Sequence, residues 1–147
     1  MGLPMQVVGC FIGTILFSVL LNQPPKTMIF SGIIGTLGYF VFELLHETTM
    51  AYFFATLTIA LLCEIAARIF KKAATLYLIS ALIPIVPGIG LYRTMRYLVE
   101  DNVAMSAQVG IETLMGVCAI ALAITCSSIV FSNIPRKRAQ KVNHAGK

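Results

Sequence analysis

The stretch Leu78–Glu100, LISALIPIVPGIGLYRTMRYLVE, decides how this chain is read. It is apolar enough to enter a bilayer, yet it carries Pro84, Pro87, Gly88 and Gly90 in its middle and Arg93 and Arg96 soon after. Proline withdraws a backbone donor and glycine accepts angles that other residues resist, so a helix running through this stretch is interrupted. Backbone groups freed in hydrocarbon are costly unless protein or a water-filled cavity satisfies them. The expectation is a discontinuous crossing that opens onto a cavity. Its second half resumes after Gly90, with a partly positive N-terminus aimed back at the break.

The flanking sequence supports a membrane setting. Of 147 residues, 58% are hydrophobic and only 12% charged, against about 25% charged in a soluble domain. A net charge of +5 does not suggest a nucleic-acid surface, because the cations sit between apolar segments and at the C-terminus rather than as one stripe. The fold class expected is all-α, a polytopic membrane protein of about five transmembrane helices forming one integral domain over 1–147. The helices are placed at 3–21, 27–45, 49–70, 75–99 (the broken one) and 105–131, with a basic tail over 132–147. The N-terminal run has no cationic start and is too long for a signal core, so it is read as a retained helix. Gln6 stands where a myristoylation motif wants Ser or Thr.

Orientation follows from the excess of Lys and Arg in cytoplasmic loops. With the N-terminus outside and the C-terminus inside, Lys26, Arg68, Lys71, Lys72, Arg136, Lys137, Arg138, Lys141 and Lys147 fall inside, and only Arg93 and Arg96 fall outside. Glu43 and Glu47, in the acidic turn, face outward with Glu100 and Asp101.

Small residues recur in the first two helices: Gly9 and Gly13, then Gly32, Gly35 and Gly38. Such spacing lets backbones approach, within one chain or between subunits. Cys10, Cys63, Cys118 and Cys126 have neither zinc-finger nor disulfide-framework spacing and read as buried free thiols. The His46-Glu47 pair is followed by Met50 where a zincin wants a second histidine, and Glu43-x-x-His46 lacks the second copy of a di-iron bundle. Neither a Walker loop nor a nucleophile elbow is present, so no metal, cofactor or enzymatic role is expected.

The candidate solute-binding set is Pro84, Pro87, Gly88, Gly90, Tyr92, Arg93 and Arg96, because a helix N-terminus beside a guanidinium suits a carboxylate. The plainer reading makes the prolines a span end and the arginines interfacial anchors. Glu64 and Glu112 lie inside apolar helices and are the candidates for ion coupling. Glu64 has Arg68 four residues on, a spacing that also fits a structural pair; Glu112 has only Gln108 one turn earlier.

The segment Ala81–Asn102, ALIPIVPGIGLYRTMRYLVEDN, with Gly110, Glu112 and Gly116 in the helix that follows, resembles the threonine/serine exporter family, most closely its small, YjjB-like membrane subunit. The matching residues are Pro84, Pro87, Gly88, Tyr92 and Arg93. The resemblance implies export of small amino or carboxylic acids, threonine, serine or a dicarboxylate such as succinate, across a bacterial inner membrane. It also implies a larger partner subunit of the same family, a homo-oligomer remaining open, which fits the small number of helices. A non-transporting scaffold or accessory subunit is the alternative, and an intramembrane enzyme is disfavoured.

Overall fold

The computed structural model describes residues 3–46 and 48–132. Glu47 and the basic tail from residue 133 lie outside the described residues, and with them part of the charge count used for orientation. Six helices follow one another: α1 (Leu3–Leu20), α2 (Pro25–Leu44), α3 (Thr49–Phe70), α4 (Ala74–Leu82), α5 (Gly88–Val99) and α6 (Val103–Ser132). The fourth crossing is therefore two separate helices, and the second begins at Gly88 rather than after Gly90.

Local chemistry sets these limits. Pro24 precedes α2 and Pro25 opens it, where a missing N–H costs nothing. Asn22, His46, Lys71 and Asp101 adopt positive φ and turn the chain out of α1, α2, α3 and α5. Lys72 N donates to Ala67 O at 3.1 Å and Asn102 N to Tyr97 O at 2.9 Å, so carbonyls left over at these helix ends are satisfied. Asn102 Oδ1 accepts from Met105 N and caps α6. Hydroxyls inside the apolar helices bond back to the preceding turn, as Thr14 does to Cys10 O and Ser18 to Thr14 O. That leaves no polar cost for the bilayer to bear at those positions.

The core lies where α2, α3 and α4 meet, around Ile34, Phe42, Ala55, Ile59, Cys63, Tyr77, Ala81 and Ile85. Close approach depends on the α2 glycines. A Cβ at Gly32 would press on Phe11 of α1 and one at Gly35 on Thr14, while one at Gly38 would overlap Ile59 of α3. The aromatic pairs Phe30–Phe70 and Phe42–Tyr52 close the two ends of the antiparallel α2–α3 interface. α1 packs on α2 and α4, and α6 packs on α3 and α5.

Gly9 and Gly13 differ from the α2 glycines, since nothing lies within 4 Å of a Cβ at either. Within this chain they are not packing positions. Gly13→Leu is therefore expected to leave the thermal midpoint of the detergent-solubilised chain unchanged. If this open face of α1 serves assembly, the variant migrates as a smaller species by native electrophoresis.

Candidate functional site

The interruption spans residues 83–87 and bridges two different neighbourhoods. Before it, α4 lies among α1, α2 and α3; after it, α5 touches α6 alone among the described helices. Ile85 is buried at the level of Gly38, and Pro87 is buried as the N-cap of α5. Three donors of the break find acceptors within it. Ile85 N and Val86 N both reach Leu82 O, at 2.9 and 3.2 Å, and Gly88 N reaches Val86 O at 2.7 Å. Three of the amides expected to be freed are thus bonded locally.

Its consequence is a helical hairpin. A Cβ at Gly90 would overlap Thr113 Oγ1, and a Cβ at Gly110 would come within 3.2 Å of Thr94. Ser106 Oγ donates to Thr94 O at 2.8 Å. These contacts make α5 and the first part of α6 antiparallel partners across an interface of small residues. Further along, Gly116 packs on the Tyr52 ring, and Arg68 Nη2 donates to Phe131 O at 3.2 Å with its guanidinium over the Phe131 ring. So α6 runs parallel to α3, and Thr113 stands about level with the start of α3. The hairpin beyond Gly90 and Thr113 projects past the α2–α3 connection by roughly 15 Å, ten residues of α6 at about 1.5 Å each. If α2 and α3, of 20 and 22 residues, fill the hydrocarbon, the hairpin stands in the interface and the water beyond it.

The hairpin is two-sided. Glu112 is one turn before Gly116, so it lies on the α3 side of α6, just past the beginning of α3. With Gly90 and Thr94 turned to α6, helical geometry puts Arg93 on that same side and Leu91 and Leu98 on the opposite one. Tyr92, Arg93, Arg96 and Glu112 are all exposed, and no residue of α5 is buried. Arg96 is engaged, its Nε donating to Glu100 Oε1 at 2.8 Å. Arg93 has neither an ion pair nor a side-chain hydrogen bond among the described residues. Glu112 receives only Gln108 Nε2, at 3.4 Å. The structure thus brings Arg93, Arg96 and Glu112 onto one hairpin, away from Glu64, which is half-buried within α3.

A family comparison decides what this arrangement belongs to: residues 6–130 match the model of the threonine/serine exporter, ThrE. The chain belongs to the threonine/serine exporter family. No curated protein and no solved structure matches it. The family match covers every described helix except the ends of α1 and α6. Exporter-family membership and apolar helices of spanning length together make this a multi-pass membrane protein of transporter type.

Sequence reading missed two features of the exporter's interior. Gln23, between the first two expected helices, is buried; its Nε2 donates to Leu76 O and to Ser80 Oγ at 2.7 Å, and its Oε1 accepts from Ser31 Oγ at 3.1 Å. One amide thereby ties the α1–α2 connection to α4. Gln23→Leu should strand the hydroxyls of Ser31 and Ser80 and a carbonyl, lowering stability by about 1–3 kcal/mol. A reduced thermal midpoint in detergent checks it. The second feature is a set of sealed polar atoms, Thr56 Oγ1, Tyr77 OH, Ser127 Oγ and Glu43 Oε2, that have no hydrogen-bonding partner among the described residues. The preceding polar residue of a Pro-Pro turn could have flagged Gln23; nothing in sequence spacing flags the sealed hydroxyls. Of the four cysteines, Cys10 and Cys63 are buried, whereas Cys118 and Cys126 are exposed on α6.

Proposed function

We propose that this chain is one membrane subunit of a secondary exporter of small amino or carboxylic acids, working with a larger partner subunit of the same family or with further copies of itself. The observation that carries the reading is the exporter-family match over residues 6–130, a range that includes the fourth crossing split into α4 and α5. Arg93, an exposed guanidinium with no ion pair among the described residues, meets the carboxylate that threonine, serine and succinate share. Tyr92 and Gly88 shape the approach, Gly90 lets α5 close on α6, and Pro84 and Pro87 fix the angle at which α5 leaves the bundle. Arg96, held by Glu100, stiffens α5 more than it binds solute.

Several features support a conduit over a scaffold. A dry, fixed bundle has no need for fully buried hydroxyls without partners, since each carries a desolvation cost. Tyr77 and Thr56 are completely buried in this way. They offer polar contacts to a solute or water once α4 moves. Glu64, within the α3 span, is the coupling carboxylate of this reading, with protons as the ion. Lys26, Arg68, Lys71 and Lys72 gather at the α1–α2 end of the bundle, which makes that end cytoplasmic in a bacterial inner membrane and puts the hairpin outside.

The test is efflux of labelled threonine, serine and succinate from cells carrying the chain with and without its larger partner. Efflux of at least one solute above the empty-vector rate is expected when both are present. Equal rates with and without this chain would favour the accessory-subunit reading.

A further inference from the structure

We infer that the end of α4 and Thr56 of α3 form a site for a small monovalent cation, held by backbone carbonyls and one hydroxyl. Such an ion ties α4 to α3 whether or not the chain moves a solute, so the site stands apart from the exporter reading. The break leaves acceptors over. Pro84 and Pro87 have no N–H, so Ser80 O and Ile83 O lose the donors that a continuous helix would supply. Ile85 N, the helical partner of Ala81 O, bonds to Leu82 O instead. Ser80 and Ala81 are fully buried, which keeps bulk water from making good the loss. Three carbonyls without a helical donor thus gather at the negative end of the α4 dipole.

Thr56 supplies a fourth oxygen. Elsewhere in these helices the hydroxyls of Thr14, Thr36, Thr58 and Thr113 turn back on their own helix and donate to the carbonyl four residues before. Thr56 is fully buried and does not; its Oγ1 has no partner among the described residues. A threonine that forgoes the back-bond takes the other staggered position, which directs its oxygen off its own helix. Its place on α3 shows what lies there. Tyr52, one turn earlier, packs on Gly116 of α6, and Ile59, one turn later, packs at Gly38 beside Ile85. The break climbs between the same two levels, from Ile85 to Gly90, which stands against Thr113, one turn from Gly116. Thr56 therefore stands at the height of the break, on the stripe of α3 that faces it.

The chemistry of the set selects the ligand. Its oxygens are neutral and, the one hydroxyl proton aside, accept without donating, so an anion is repelled and an alkali cation is suited. A divalent ion wants carboxylates. No group of three or more carboxylate, imidazole or thiol side chains that could hold one occurs among the described residues. The function proposed above gives Thr56 to solute or water once α4 moves; with α4 seated, the hydroxyl belongs to the ion.

Thermal midpoints of the detergent-solubilised full chain in sodium, potassium or choline chloride, at one ionic strength, test the assignment. Choline is too large for the site and is the reference. Sodium or potassium is expected to raise the midpoint by about 3 °C or more, the shift that an ion at about ten times its dissociation constant gives a chain of this size. Thr56→Val keeps the shape of the side chain and should lose that rise, while Thr56→Ser should keep most of it. Thr58→Val, at a hydroxyl bonded to its own helix, should keep all of it. Equal midpoints of the unaltered chain in the three salts would overturn the assignment, whether the place is dry or holds water, and that comparison needs no variant to fold. A rise that survives Thr56→Val would overturn it as well, by putting the ion elsewhere.

Discussion

Replacing Gly38 by leucine is expected to abolish accumulation of the folded chain in the membrane. Gly38 lies where α2 meets both α3 and α4, and even a methyl group there would overlap Ile59 Cδ1 and Cγ1 and touch Ile85 Cδ1 at 3.4 Å. Neither neighbour has room to yield, because Ile59 is fully buried and Ile85 nearly so. Inserting extra carbon into a packed core costs about 1–3 kcal/mol. The leucine side chain adds four carbons where one already overlaps, so the α2–α3 interface has to separate. In a membrane the loss is severe, since lipid offers apolar side chains as good a home as the partner helix does and only close packing holds the helices together. Gly38→Ala should reduce the thermal midpoint without eliminating the protein. Gly9→Leu, at a position with open space around it, is the control that keeps wild-type levels. Membrane-fraction immunoblots and detergent melting check the series.

The second large effect is on transport. Arg93→Gln should depress efflux by about ten- to a hundredfold with insertion unchanged. Hydrogen bonds to a charged group contribute about 1.5–3 kcal/mol each, and a factor of ten corresponds to about 1.4 kcal/mol. The effect belongs to the bound solute and not to the fold, because the Arg93 side chain is exposed and has no ion pair or side-chain hydrogen bond among the described residues. Lysine should recover only part of the rate, since it offers a point charge in place of a two-pronged donor. Arg96→Gln is the informative neighbour. Arg96 is bonded to Glu100 on its own helix, so its loss should cost much less. Equal losses at 93 and 96 would mean that the hairpin reads net positive charge alone.

The break was legible in the sequence because proline and glycine act locally: wherever the chain goes, Pro84 and Pro87 cannot donate to a helix. Where the two pieces go was not legible. α5 leaves the bundle because Gly90 and Gly110 fit Thr113 and Thr94, contacts between residues more than ten positions apart that no periodicity announces. The glycine patterns show the same limit. Gly9 and Gly13 share the spacing of close-packed helices, yet α2, with Gly32, Gly35 and Gly38, has neighbours on several sides, whereas α1 lies at the bundle edge. Spacing reports what a helix face can accommodate; position in the bundle decides whether anything is there. For Gln23, burial came from a turn that folds its side chain under α4, and residue type alone suggested solvent. The break was expected to leave amides unpaired, but Leu82 O serves two of them. In the function proposed above, the residues that meet solute are those of the hairpin that the break creates.

That placement of Arg93 is the proposal's central claim, and thiol labelling tests it most directly. In a chain whose four cysteines are replaced by serine or alanine, a single cysteine is placed at Arg93 or, as the buried comparison, at Ile85. Intact cells are then treated with a membrane-impermeant maleimide in the presence or absence of threonine. The account expects the cysteine at 93 to be labelled from outside, labelling to slow when threonine is present, and the cysteine at 85 to stay unmodified. A cysteine at 93 that the reagent cannot reach, or that reacts at the same rate with and without threonine, would contradict it.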